Sequence, residues 1–200
     1  MLSQYVRANV LLAHRLLECG EPTPAIAGLV AASHPPENLS EAKHLLMNLS
    51  MIDYWLGVAH HDAGNRREAE RHWTRAARQK GDFQQMQTKA VSENTYWSAL
   101  ALRRLGREQD ALDAFRTILD YSAHLQRQTP KIDYFATSLP AMLLFDEDLA
   151  RRQSITARYL EAQARLGLGN EAEGLRLLEE VLAIDDAHPD AIDLLRFHKR

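Results

Sequence analysis

The chain repeats itself, and that constrains its fold more than any other feature. Three segments align without a gap: YWLGVAHHDAGNRREAERHWTRA from Tyr54, YWSALALRRLGREQDALDAFRTI from Tyr96 and YLEAQARLGLGNEAEGLRLLEEV from Tyr159. Each reaches a glycine ten residues after its opening tyrosine, at Gly64, Gly106 and Gly169. A glycine there lets a helix end in the left-handed conformation without a Cβ penalty. Five residues later stands a small residue (Ala69, Ala111, Gly174), four further a large one (Trp73, Phe115, Leu178), and three beyond that Ala76, Ile118 or Val181. Positions i, i+4 and i+7 share one helix face, and the small residue admits the preceding helix closely. Each segment therefore encodes a helical hairpin, and several hairpins in one chain predict a stacked array.

A fourth, more degenerate copy lies upstream, where Gly20 is followed by Ala25, Leu29 and Ala32, with Thr23 read as N-cap and Pro24 as first helical residue. The terminal HPDAIDLLRFHKR puts a proline at the first helical position and Ala191, Leu194 and Leu195 on one side, as a capping helix needs. The expected organisation is one all-α domain, 1–200. Its hairpins span 2–34, 50–80, 92–127 and 149–184, with an insert at 129–148 and a cap at 189–198.

Between the hairpins lie PPENLSEAKH, DFQQMQTKA and KIDYFATSLPAMLLFDEDL. With Ile132, Tyr134, Phe135 and Leu139 the last is too apolar for a solvated tether. It is expected to form two short helical turns joined at Pro140, packed between the third and fourth hairpins. The alternative is a ligand-contacting ledge of Lys131, Asp133 and Tyr134.

Composition narrows the function classes. A formal charge of −3 gives no global basic field for a nucleic-acid backbone. The basic stretch NRREAERHWTRAARQK interleaves Glu68 and Glu70 with its arginines, which suits a solvated helix face. Cys19 is the only cysteine, so no intrachain disulfide forms; it is expected to be a small core residue in a reducing compartment. No run approaches the ~18 uninterrupted apolar residues of a membrane span, and the first apolar run is a poor signal peptide. A cytoplasmic location is expected.

Candidate chemistry is sparse. His60 and His61 are adjacent, so on a helix they point about 100° apart and do not converge on one ion. Asp146, Glu147 and Asp148 directly precede a helical stretch, where acids complement the dipole and cap free N–H groups. There is no nucleophile elbow, phosphate loop or metal-ligand spacing. The expectation is a non-enzyme without metal or cofactor.

The small–x3–large–x2–small pattern after a helix-ending glycine, with Leu56-Gly57 in a first helix, resembles the tetratricopeptide repeat. That resemblance implies a right-handed superhelix of about four hairpins plus a cap. The chain departs from it in spacing: glycines recur every 44, 42 and 63 residues (20 to 64, 64 to 106, 106 to 169) against about 34 in that family. His60, Leu102 and Arg165 also stand where its tyrosine is usual. More narrowly, PPENL, YWLG, KIDYF, SLP and FDEDL resemble the helical C-terminal tail of large bacterial proteins. Their β-rich front domain is of unassigned function and linked to carbohydrate metabolism; no activity of that domain carries over.

The repeat resemblance implies a concave groove lined by first helices, with Tyr54, Tyr96 and Tyr159 at one groove-facing position. Val58 and His61, Leu100 and Arg103, Gln163 and Leu166 follow on the same stripes. Tyrosine offers apolar area with a polar tip, so a protein or peptide partner is expected there. The other reading is that the tyrosines pack between hairpins. The alternative function is a non-catalytic module of a carbohydrate-metabolism enzyme or its assembly.

Overall fold

The computed structural model describes residues 2–36, 47–84, 87–129 and 148–198. They form nine helices: α1 Leu2–Glu18, α2 Pro22–Ser33, α3 Ser50–Asp62, α4 Arg66–Arg78, α5 Thr95–Arg104, α6 Glu108–Arg127, α7 Leu149–Gly167, α8 Glu171–Ile184 and α9 Pro189–His198. One exception to the all-α expectation falls in DFQQMQTKA. There β1 Asp82–Gln84 and β2 Gln87–Lys89 pair antiparallel, Asp82 opposite Lys89 and Gln84 opposite Gln87. The insert 130–147, with Lys131, Asp133 and Tyr134, lies outside the described residues, as does most of PPENLSEAKH. Where one domain was expected, the chain falls into two compact units, Met1–Ala114 and Phe115–Arg200.

Four helix pairs are closed by the same turn. Gly20, Gly64, Gly106 and Gly169 all have positive φ, from 74° to 85°. In each the glycine N–H donates to the carbonyl three residues back (Leu17, His61, Arg103, Leu166) at 2.9–3.1 Å. The next residue's N–H reaches five back (Leu16, His60, Leu102, Arg165) at 2.8–3.0 Å. This is the Schellman arrangement, which satisfies two carbonyls that a helix end otherwise leaves bare. The second helix then starts in the same register each time, the small residue's N–H donating to Glu21, Asn65, Arg107 or Asn170. In the first copy this moves the start forward: α2 begins at Pro22 after Glu21, not at Pro24 after Thr23.

The core follows the repeat. Ala25, Ala69 and Ala111 are buried, as are Leu29, Trp73, Phe115 and Leu178, and Ala32, Ala76, Ile118 and Val181. Gly174 is buried too, and a Cβ there would lie 2.5 Å from Leu166 Cγ. The facing position on the first helix, seven residues before the turn glycine, is small in every copy: Ala13, Gly57, Ala99 and Ala162, all buried. Small residues face small or large ones across the pair, which lets the helices approach closely.

Within the first unit α1 packs on α2 and α3 on α4, and successive hairpins meet through α2 with α3 and α4 with α5. Trp73 of α4 has the guanidinium of Arg104 on α5 over its ring, 5.7 Å from the centroid. Within the second unit Phe115 of α6 lies against Gly167 of α7, where a Cβ would come within 2.2 Å of the ring. Arg104 and Gly167 both stand eight residues after their tyrosine, and Trp73 and Phe115 both nine after their glycine. The large residue of one hairpin thus meets the same position of the next in both units. At the end of the second unit α9 covers α8 with Ala191, Leu194 and Leu195 buried, spanning the residues expected of the cap.

A polar knot fixes the entries to α3, β1 and α5. Asp82, buried, accepts from Asn48 N at 3.1 Å and Asn94 Nδ2 at 2.9 Å. Asn48 Nδ2 donates to Gly81 O at 2.8 Å, and Ser50 Oγ to Asn94 O at 2.7 Å. The extra length between the second and third hairpins is thereby anchored by satisfied buried polar groups. Cys19, expected in the core, is exposed: it follows the last residue of α1, where the chain turns through Gly20.

Candidate binding surface

The recurring tyrosines are buried. Tyr54 is 8%, Tyr96 2% and Tyr159 3% exposed. Tyr54 sits in a ring cluster drawn from three successive first helices: 5.4 Å from Trp55 and 5.5 Å from Trp97, with Tyr96 5.3 Å from Trp97 and His14 5.0 Å from Trp55. Burial raises the Tyr96 hydroxyl well above the ordinary tyrosine range, with Tyr54 adding to the shift and Arg103 opposing it. In the second unit the Tyr159 hydroxyl donates to Asp190 O at 3.4 Å and accepts from Gln163 Nε2 at 3.3 Å, beside the His188 ring. Its neighbour there is the capping helix α9.

The expected open strip of tyrosines is therefore corrected: the rings serve packing between successive elements. Val58, Gln163 and Leu166 on the same stripes are buried as well, and Leu100 is half-buried. Of the expected residues His61 and Arg103 reach solvent most. The His61 side chain is 49% exposed, with Nδ1 3.2 Å from Asp62 Oδ1 and its ring 5.8 Å from Trp73. Arg103, 35% exposed, holds Glu108 through Nε and Nη2 at 3.0–3.1 Å, so its charge is already paired.

A polar cluster between α3 and α4 was missed by the sequence reading. Asp53, 2% exposed, accepts from His72 Nδ1 at 3.0 Å and Gln79 Nε2 at 3.4 Å, with Arg75 Nη2 3.4 Å away. The His72 ring stacks on His60 at 5.3 Å and 9°. His60 Nδ1 is buried without a hydrogen-bond partner among the described residues. His60 titrates below the ordinary imidazole value because burial disfavours its charge, with His72 adding to this and Glu68 opposing it. Asp53, His60 and His72 lie 7 and 12 residues apart in sequence (53 to 60, 60 to 72), so only the α3–α4 register joins them.

Among the described residues no group of three or more His, Cys, Asp or Glu is arranged to hold a metal ion. No helix among them is long and apolar enough to cross a membrane. Asp148 caps α7, accepting from Arg151 N at 2.9 Å, the role expected of the acids there; Asp146 and Glu147 lie outside the described residues. No family model matches the chain, and no solved structure matches it significantly.

Proposed function

We propose that the chain is a tetratricopeptide-like repeat scaffold that binds a protein or peptide and has no catalytic role of its own. One observation carries this reading: four hairpins closed by the same two-bond glycine turn, with the large second-helix residue meeting the same position of the next hairpin at Trp73–Arg104 and Phe115–Gly167. Repeats stacked in one register build a right-handed superhelix whose broad surfaces suit extended partners. With the tyrosines buried, the contact residues are those that leave the packing, His61 and Arg103 among them. The partner is a separate protein or another domain of a larger polypeptide.

The test is affinity capture from the source cells with the wild-type chain, followed by quantitative binding of whatever is captured. His61→Ala and Arg103→Ala are each expected to weaken binding by about 1 kcal/mol or more if they are anchors. Equal affinity of the double variant removes this surface, and a chain that captures nothing above an unrelated helical control removes the scaffold reading.

A further inference from the structure

The stacked histidines between α3 and α4 are not among the contact residues proposed above. His72 is held by a buried carboxylate, while the ring stacked on it, His60, keeps a buried nitrogen with no partner among the described residues. A buried polar atom without a partner costs free energy, and that cost rises if the ring becomes a cation. The two rings are thus placed differently. His72 faces the Asp53 carboxylate. His60 faces the ring of His72, 5.3 Å away.

We infer that the His60–His72 stack is an acid-sensitive latch of the second hairpin: α3 and α4 stay packed while His60 is neutral, and a proton on that ring loosens them. Asp53 on α3 and Arg75 on α4 bear on His72, the carboxylate attracting and the guanidinium sharing the same oxygen. Glu68 and His72, both on α4, bear on His60. His60 also sits in the last turn of α3, where the helix dipole favours a cation. That pull and Glu68 act for protonation; burial and His72 act against it, and they prevail. A base whose folded-state pKa is depressed leaves the native chain short of a proton that the unfolded chain accepts. Stability is full above the ordinary imidazole value near 6.5 and declines as pH falls below it. The consequence is local, because the His60 carbonyl also anchors the Gly64 turn by accepting from Asn65 N at 2.8 Å.

The test follows the imidazole resonances of the full chain by NMR from pH 8 to 5, alongside urea unfolding at the two ends of that range. The expected result is that His60 titrates below the free-imidazole value. The wild type then loses more stability on acidification than His60→Phe, which keeps a stacked ring and drops the titrating group. A His60 midpoint at or above the ordinary value would overturn the inference, as would equal acid sensitivity in His60→Phe. If that variant does not fold, the wild-type titration alone decides.

Discussion

A single methyl group at residue 57 tests how tightly the second hairpin is built. In the middle of a helix, Gly→Ala normally stabilises by about 1 kcal/mol through backbone entropy. At Gly57 the new Cβ would lie 2.2 Å from Trp73 Nε1, 2.3 Å from Cδ1 and 2.8 Å from Cε2, far inside contact distance. The indole is not free to retreat. Its Nε1–H donates to Tyr54 O at 3.2 Å, one face carries Arg104, the His61 ring lies 5.8 Å away, and the side chain is buried. Overpacking of this kind costs about 1–3 kcal/mol, and loss of the indole hydrogen bond adds about 1 kcal/mol. Against the propensity gain, the net expectation is a loss of about 2 kcal/mol. Gly28 in α2 is the matched control, because a Cβ there meets nothing nearer than Asn9 at 3.9 Å; Gly28→Ala should stabilise. Urea unfolding of both variants beside the wild type reads the difference as midpoints of opposite displacement. If Gly57→Ala is as stable as Gly28→Ala, the close approach of α3 to the Trp73 ring is wrong, and the hairpin packing with it.

Asp53→Ala should lose about 3 kcal/mol, the low end for breaking a buried ion pair because Arg75 is half-exposed and rehydrates; a urea midpoint unchanged from wild type would contradict the cluster. In an alkaline absorbance titration of the six tyrosines, Tyr96 should stay neutral well above the ordinary tyrosine range. A raised folded-state pKa means stability intact below pH ~10 and lost as pH rises above it, so Tyr96→Phe should resist alkaline unfolding better than wild type. Equal alkaline midpoints for the two chains would count against burial of that hydroxyl.

What could be read from the sequence is what local physics demands of single positions. A helix that must reverse within two residues needs a left-handed one, so the four glycines at the turns were visible in the text. Close helix approach needs small side chains at fixed offsets, so Ala69, Ala111 and Gly174 were visible too, as was the extent of α9. Asp53 was not. A carboxylate at helical spacing from histidines and arginines looks like a solvated face until the crossing of α3 and α4 decides which side is inward. The same holds for Asp82, whose partners Asn48 and Asn94 stand 34 and 12 residues away and are joined to it only by the fold. Gly57 was noticed as part of a motif, but its reason, the Trp73 ring, is tertiary.

The tyrosines carry a more general lesson about arrays. Their recurrence at one position in three otherwise divergent copies suggested a shared ligand surface, yet the environment that recurs in a stack is the one between neighbouring elements. Tyr54 meets Trp97 of the next first helix, and Tyr159 meets α9, which takes that place at the end of the second unit. Both places take a flat aromatic ring, so the same residue type returns. A bound partner has no such periodicity: it touches each hairpin at a different point of its own chain. Residues that differ between equivalent exposed positions are therefore the better guide to contact. Seven residues after the turn glycines stand Ala27, Arg71, Asp113 and Arg176, all exposed and changing from neutral to cation to anion to cation along the chain. On the proposed scaffold reading, charge reversals at positions of that kind should alter partner affinity copy by copy. The tyrosine position should respond alike in every copy, through stability alone.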